Sequence, residues 1–324
     1  MASTTTTTTV TDSTKHIISE LPSYITVYND GTIERPRQAP TVPPNLNDPN
    51  SPVSSKDIII SQNPNVSARL YLPKNPTQKL PILVFFHGGG FFFESAFSKL
   101  YHEHFNIFAP QANTIVVSVE YRLAPVHPLP AAYHDCWSSL QWVASNQEPW
   151  LTNHGDLNRI FIGGDSAGGN IVHNIAMRAG SEALPNDVKV LGAILQHPFF
   201  YGSHPVGLEG VKLKSSDHDF YCSVWNFVYP SAPGGIDNLH VNPLGLEAPS
   251  LEGLGCDKMI VCVAGKDGIR ERGVWYYEIV KKSGWKGKLE FFEEEGEDHV
   301  YHIFYPESEN GQKLIKRLAS FLHE

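Results

Sequence analysis

The chain has 324 residues and a formal net charge of −9, because 34 acidic residues outnumber 25 basic ones. This negative balance argues against nucleic acid or an anionic membrane as the main partner. The apolar fraction of 41% suffices for a large core, and no apolar run is long enough to span a bilayer. The four cysteines lack metal-ligand spacing, so we expect reduced thiols, no bound metal and a cytoplasmic location.

The chain begins with a threonine-rich stretch, and residues 1–22 are predicted to be a flexible tail that cannot build a core. A plastid transit peptide is the alternative, which the lack of arginine disfavours. Residues 23–56 are rich in proline and too long for an ordinary connection, so we expect an arm that forms part of a cap. Two β-prone runs, 57–61 and 68–72, then predict a hairpin.

From there apolar runs of strand length alternate with segments of helical spacing, which predicts an α/β fold with a mostly parallel sheet covered on both faces. The alternation breaks at residues 199–249, where we expect an inserted second cap element around one helix, 217–228. Residues 23–324 are therefore predicted to form a single domain. The predicted strands are 82–86, 114–120, 159–162, 190–195, 259–264 and 289–292, and the predicted helices are 131–145, 170–177, 270–282 and 310–322.

The motif Gly164-Asp165-Ser166-Ala167-Gly168 lies between a predicted strand and a predicted helix. A serine at the tip of such a turn is typical of a nucleophile elbow, in which glycines on either side allow the strand and helix to approach closely. The helix starts directly behind Ser166, so its free amides face an oxygen on which negative charge develops. A glycine-rich loop before a helix is the simpler alternative.

The motif His87-Gly88-Gly89-Gly90 follows the predicted strand 82–86 directly. We expect the amides of Gly88 and Gly89, with that of Ala167, to form an oxyanion hole. A flexible turn is the alternative. Phe91 and Phe92 come next, and we expect them to line a substrate pocket, with core packing as the alternative.

Asp267 and His299 each lie on a loop after a predicted strand, and both follow Ser166 in the chain. Nucleophile, acid and histidine in this order are typical of the α/β-hydrolases. Asp298 is a rival for the acid, but it is adjacent to His299 and poorly placed to face the ring. The order therefore favours Ser166, Asp267 and His299 as a catalytic triad.

These motifs, with the runs VEYRLAPVHPLPAAYHD, AGKDGIRERG and GEDHVYH, resemble the plant carboxylesterase group in the hormone-sensitive-lipase branch of α/β-hydrolases. The resemblance covers nearly everything from Ser23 to the end. It implies the triad and the oxyanion donors named above. Plant members commonly carry a second acidic residue after the triad aspartate, whereas Gly268 stands here, a difference we expect to be harmless.

The resemblance implies a serine carboxylesterase that cleaves esters of small plant metabolites, without a cofactor, as a monomer or a homodimer. A lyase similar to 2-hydroxyisoflavanone dehydratase, or a related cyclase, is the alternative because fold alone does not decide function. A small-molecule hormone receptor is a third possibility. It is disfavoured because the gibberellin receptors have lost the triad histidine, and His299 is present here.

Overall fold

A computed structural model describes residues 15–245 and 247–324, which form two compact units that divide after Gln38. The described part of the first unit is an antiparallel sheet of three strands, β1 (Ile17–Leu21), β2 (Ile25–Tyr28) and β3 (Ile33–Glu34). Strand β1 lies inside the predicted flexible tail, so that prediction is wrong for these residues. Residues 1–14, which carry the threonine-rich stretch, lie outside the described residues.

The second unit is built on a sheet of eight strands in the order β11-β10-β9-β8-β6-β7-β5-β4. Five of the neighbouring pairs, from β7 through β6 to β11, are parallel, and the pairs of β5 with β4 and with β7 are antiparallel. The mostly parallel sheet is thus confirmed. Its strands are β4 (Val53–Gln62), β5 (Asn65–Pro73), β6 (Leu80–Phe86), β7 (Ile115–Glu120), β8 (Gly155–Asp165), β9 (Val190–Gln196), β10 (Cys256–Ala264) and β11 (Lys288–Glu294).

Helices connect the strands, and the described residues contain none that is both long enough and apolar enough to cross a membrane. The five helices predicted from the sequence are present within a few residues of their expected bounds, whereas α1, α3, α5 and α8 were not predicted. The helices are α1 (Lys99–Gln111), α2 (Ala131–Ser145), α3 (Pro149–His154), α4 (Ala167–Ala179), α5 (Glu209–Lys212), α6 (Ser215–Val228), α7 (Arg270–Lys282), α8 (Tyr301–Phe304) and α9 (Glu309–His323).

The main core lies between one face of the sheet and the helices α1 and α9. Alternate residues of a strand point to the same face, and so Leu83 and Phe85 of β6 both join this core with Phe105 and Leu318. The helices α2 and α4 contact each other and β6. All seven residues of β6 are buried, which is expected for a central parallel strand.

The arm predicted over residues 23–56 needs a correction at its end, because residues 53–56 belong to the edge strand β4. Just before it, the chain runs beside the start of α1, where the amide of Lys99 donates to Pro40 and that of Val42 donates to Phe97. The capping role predicted for the arm stays a prediction.

Gly168, the last residue of the elbow motif, allows α4 to approach β6 closely. A Cβ atom at Gly168 would lie 1.8 Å from the carbonyl oxygen of Phe86, which is backbone and cannot yield. We expect Gly168→Ala to lower the free energy of unfolding by about 3 kcal/mol or more, as overpacking does at its severe end.

Chemical denaturation would measure this loss, with Gly296→Ala as the matched control. A Cβ atom at Gly296 meets nothing within 4 Å, so that variant should stay within about 0.5 kcal/mol of wild type. Equal stability of the two variants would contradict the packing described for the elbow.

Candidate active site

The residues singled out by the sequence lie at the carboxyl ends of neighbouring parallel strands. Strand β6 ends before His87, β8 leads into Ser166, β10 ends before the loop that carries Asp267, and β11 ends before the loop that carries His299. In open α/β sheets these ends form one edge, and ligands bind there. The topology therefore gathers these four segments at a single edge.

Ser166 lies at the tip of a strained turn between β8 and α4. Its φ of 53° and ψ of −115° fall outside the regions that side chains usually adopt. The turn is held by backbone hydrogen bonds, from Ser166 N to the carbonyl of Gln196 and from Phe199 N to the carbonyl of Ser166, both 2.9 Å long. The nucleophile elbow predicted from the sequence is therefore present as a backbone conformation.

Asp267 and His299 form a short hydrogen bond, 2.6 Å from His299 Nδ1 to Asp267 Oδ2. The Asp267 side chain is only 2% exposed, and that of His299 is 35% exposed. Although burial opposes the charge, the neighbouring imidazoles of His299 and His197 lower the pKa of Asp267 well below its usual value. Burial would likewise lower the pKa of His299, but Asp267, aided by Asp165, raises it above the usual value. The carboxylate is thus ionised and positioned to stabilise a histidine cation.

The exposed Asp298 does not take this place, so the preference for Asp267 as the partner of His299 agrees with the structure. The second contact of a triad, between the serine and the histidine, is not formed. Within residues 15–245 and 247–324, the structure shows no hydrogen bond between Ser166 Oγ and His299. Such contacts are often long without substrate, so the triad as a working unit belongs to the proposals below.

Gly88 is held inside the protein and cannot serve as an oxyanion donor in this conformation. Its amide lies 2.7 Å from the hydroxyl oxygen of Tyr101 and 3.0 Å from Asp165 Oδ1. The Tyr101 hydroxyl donates in turn to the Asp165 carboxylate. The prediction for Gly88 is therefore corrected: its amide anchors the loop after β6. Among the described residues, the amides of Gly89 and Gly90 donate to no protein atom.

The loop is also fixed by the side chain of His87, its first residue. Its Nδ1 lies 2.8 Å from the carbonyl oxygen of Gly88, and its ring stacks on Tyr121 at 4.3 Å between centroids. The Tyr121 hydroxyl donates to the carbonyl of His87. Burial lowers the pKa of His87 to about 4, so the ring is neutral at pH 7. His87 therefore holds the loop as an uncharged hydrogen-bond donor.

Phe91 and Phe92 do not line an open pocket, so the prediction of substrate contact is corrected in favour of core packing. They are 1% and 4% exposed. The ring of Phe91 packs edge-to-face on Phe199 and Trp225, and Phe92 packs on Phe227. These aromatic contacts attach the loop after β6 to the helix α6.

Helix α6 of the predicted insertion lies against two loops of the site. A Cβ atom at Gly90 would lie 3.6 Å from Val224 Cγ1, and one at Gly268 would lie 2.4 Å from the Tyr221 hydroxyl oxygen. Both contacting side chains belong to α6, which supports a capping position for this helix. This contact also explains why residue 268 is a glycine, because any side chain there would displace Tyr221.

Among the described residues, one group of side chains has the spacing of a metal site. The ligand atoms of His197, Asp267 and His299 lie within 4.8 Å of one another. The 2.6 Å between His299 Nδ1 and Asp267 Oδ2 is shorter than the ~3.3 Å between two ligands bound at ~2.0 Å to a tetrahedral ion. The pair is therefore arranged to share a proton and not a metal.

The fold and this site define a class, and the family comparison agrees. Residues 83–303 match the model of a protein family that is described as having the α/β-hydrolase fold. The chain belongs to this family, and specifically to the plant carboxylesterase group within its hormone-sensitive-lipase branch.

The similar proteins include a dehydratase, a probable carboxylesterase and an esterase of known structure. The chain is 54% identical to 2-hydroxyisoflavanone dehydratase of Glycyrrhiza echinata, over 99% of this chain and 100% of that protein. It is 42% identical to probable carboxylesterase 2 of Arabidopsis thaliana, over 97% and 99% of the two chains. Among solved structures it resembles the Pyrobaculum calidifontis esterase, with a TM-score of 0.70, 27% identity, and 84% and 86% coverage.

Proposed function

We propose that the protein is a serine carboxylesterase that cleaves esters of small plant metabolites. The observation that carries the proposal is the buried, ionised Asp267 bonded to His299, at the same sheet edge as a serine on a strained elbow. A hydroxyl is a weak nucleophile unaided, and a histidine oriented by a carboxylate activates it.

In the proposed reaction, His299 removes the proton of Ser166 as the serine oxygen attacks the ester carbonyl. Asp267 stabilises the resulting imidazolium, and His299 then protonates the departing alcohol. Water attacks the acyl-enzyme in the same way, releasing the acid and restoring Ser166. His299 alternates between base and acid, and neither step needs a redox group.

The negative oxygen of the tetrahedral intermediate requires hydrogen-bond donors that are already in place. We assign this role to the amides of Gly89, Gly90 and Ala167. The first two have no acceptor among the described residues, and the third opens α4, where an amide has no partner within the helix. A single donor of this kind contributes about 3 kcal/mol to the transition state.

Dehydration of a 2-hydroxyisoflavanone is the second candidate, and similarity favours it. Two relatives of that name align over nearly their whole lengths, at 54% and 48% identity. The reaction needs a base for the proton beside the ketone and donors for the enolate oxygen. His299 and the amides of Gly89 and Gly90 could supply both, leaving Ser166 dispensable.

A two-substrate assay separates these candidates. Wild type, Ser166→Ala and His299→Ala would each be tested on a short-chain nitrophenyl ester and on a 2-hydroxyisoflavanone. We expect strong ester turnover that is lost in both variants, with little dehydration. Dehydration that exceeds ester turnover and survives Ser166→Ala would make the lyase the correct assignment.

The pH dependence of ester hydrolysis provides a further expectation. His299 must be neutral to accept a proton, so activity is present above its pKa and is lost as the pH falls through it. Asp267 raises that pKa, and we therefore expect the midpoint of the acid limb of kcat/KM above ~6.5, the usual value for histidine. A midpoint below 6 in a protein that stays folded would contradict the charge arrangement.

A further inference from the structure

A buried ion pair joins the insertion to the helix α7. Arg272 of α7 and Glu209 of α5 have side chains that are each only 3% exposed. Arg272 Nε donates to Glu209 Oε1 at 2.7 Å. Because the desolvation of two charges offsets much of their attraction, stability alone does not account for a charged pair at this place.

The remaining bonds of the Arg272 guanidinium go to the same stretch of the insertion, residues 201–213, which we call the cap segment. Nη2 donates to the carbonyl of His204 at 2.8 Å and to that of Gly202 at 3.2 Å. The guanidinium carbon lies 4.9 Å from the centre of the Tyr201 ring. One side chain of α7 thus fixes the start of the cap segment.

Glu209 fixes the middle of the cap segment. Its Oε1 binds Arg272, while its Oε2 accepts from the amide of Val206 at 2.9 Å. The next residue of α7 on the N-terminal side, Glu271, accepts from the amide of Leu208 at 3.2 Å. The first turn of α7 therefore holds the backbone of the cap segment from Gly202 to Glu209.

The same turn of α7 is attached to the loop that carries Asp267. The amide of Arg270 donates to the carbonyl of Asp267, and the amide of Arg272 donates to the carbonyl of Ile269, both at 3.1 Å. Arg272 follows Asp267 by only five residues. A segment that is bonded to Arg272 is thereby fixed relative to the Asp267–His299 pair.

At its other end the cap segment lies against the Asp267 loop itself. A Cβ atom at Gly268 would lie 3.6 Å from Leu213 Cδ1, at the end of the cap segment, and 2.4 Å from the Tyr221 hydroxyl oxygen of α6. Helix α6 begins two residues after Leu213. The position of the cap segment therefore determines where α6 starts and how its side chains meet the loops of the site.

We propose that Arg272 and Glu209 are positioning residues, which fix the cap segment and α6 beside the active site and thereby set the selectivity for esters large enough to touch them. The selectivity part of this inference rests on the proposed esterase function, whereas the attachment of the cap segment does not.

The physical reason lies in the direction of the bonds. Apolar contact is non-directional, whereas the planar guanidinium of Arg272 donates along fixed directions to three acceptors. Side chains that are already held in place need not be ordered when a substrate binds, and this contributes to affinity. The contribution applies only to substrates that reach the cap segment or α6.

Replacing both charges by methionine separates positioning from stability. Arg272→Met alone leaves the Glu209 carboxylate buried without its partner, so we expect a large loss of stability. Arg272→Met combined with Glu209→Met removes both charges and should recover much of that loss.

Hydrogen exchange measured by mass spectrometry tests the attachment. We expect the amides of residues 202–221 to exchange at least about ten-fold faster in the double variant than in wild type, because the local opening of this segment costs less free energy. Unchanged exchange there would overturn the inference. The measurement needs no substrate, so it stands even if the protein does not hydrolyse esters.

Kinetics on a small and a bulky ester, nitrophenyl acetate and nitrophenyl cinnamate, test the selectivity. We expect the ratio of kcat/KM, cinnamate over acetate, to fall at least about five-fold in the double variant, mainly through a higher KM for the cinnamate. A ratio that stays within about two-fold of wild type, or rises, would overturn the selectivity role. Hydrolysis of neither ester by wild type would instead refute the esterase proposal.

Arg270→Met combined with Glu293→Met is the matched control. Arg270 lies two residues before Arg272 on α7 and binds Glu293 of β11 at 2.6 and 2.9 Å, so this pair joins α7 to the main sheet and not to the cap segment. Each double variant removes one ion pair from α7, but only the variant at Arg272 and Glu209 should change the exchange and the selectivity. Equal changes in both would show a general effect on α7 and reject the proposal.

Discussion

Replacing Ser166 by alanine is expected to reduce ester hydrolysis by at least three orders of magnitude, and on the order of 10⁴ to 10⁶ if the serine, Asp267 and His299 act as one unit. The reason is chemical. No acyl-enzyme can form without the serine oxygen, and the residual rate would come only from substrate binding and the oxyanion donors. Steady-state kinetics on a nitrophenyl acetate or butyrate would measure the loss.

The variant should fold, because the bonds that hold the elbow belong to the backbone. Ser166 N donates to Gln196 and its carbonyl accepts from Phe199, and alanine retains both groups. Ser181→Ala, two residues beyond the far end of α4, is a suitable control that should keep wild-type activity. Full hydrolysis by a folded Ser166→Ala protein would refute the esterase proposal.

Replacing Asp267 by asparagine is expected to lower kcat by roughly 10⁴, the loss found when a triad acid becomes an amide. Asparagine keeps the size but loses the charge that raises the pKa of His299. It also offers an NH₂ group that can hold the ring in the wrong tautomer. Because the Asp267 charge raises the pKa of His299, its loss should also move the acid limb of kcat/KM to lower pH.

Asp298→Asn is the matched control for this experiment. Asp298 is exposed and adjacent to His299 in the chain, so the two variants remove the same charge at nearly the same place. We expect Asp298→Asn to keep activity within about two-fold, as for most exposed substitutions. Comparable losses in both variants would mean that overall charge, and not the bond to His299, is responsible.

The parallel strands could be predicted because their signal is local. Runs such as 82–86 and 259–264 are continuously apolar, as strands buried on both faces are, and the structure extends them by only a few residues. Helix α1 was missed, although Tyr101, His104, Phe105 and Phe108 have helical spacing on its buried face. Two polar histidines and an internal proline interrupt the apolar pattern, so the sequence did not indicate a helix there.

The site was predicted less completely because its details depend on contacts between distant segments. The order of Ser166, Asp267 and His299 in the chain was enough to predict the hydrogen bond between the loops that carry Asp267 and His299. Nothing local showed that the amide of Gly88 would turn inward to Tyr101 and Asp165, 13 and 77 residues away. The sequence also did not indicate that His197 would lie 3.4 Å from the Asp267 carboxylate, although its place directly after a predicted strand was a usable signal.

The partners of Phe91 and Phe92 illustrate the same limit. Two phenylalanines after a glycine loop are equally compatible with a pocket wall and with a core. In the structure, aromatic residues of the insertion, chiefly Trp225 and Phe227, cover the two rings and make them part of the core. A sequence pattern reports the apolar character of a residue, whereas its neighbour is decided by the tertiary fold.

The most direct measurement of the central claim is covalent labelling of the nucleophile. The protein would be mixed with a nitrophenyl phosphonate, whose phosphorus takes the place of the ester carbonyl carbon, and digested for mass spectrometry. We predict one phosphonyl group per chain, on the peptide that carries Ser166, with none in Ser166→Ala and much slower labelling in His299→Ala. An unlabelled Ser166 in active protein, or a label on another residue at the same rate, would contradict the account.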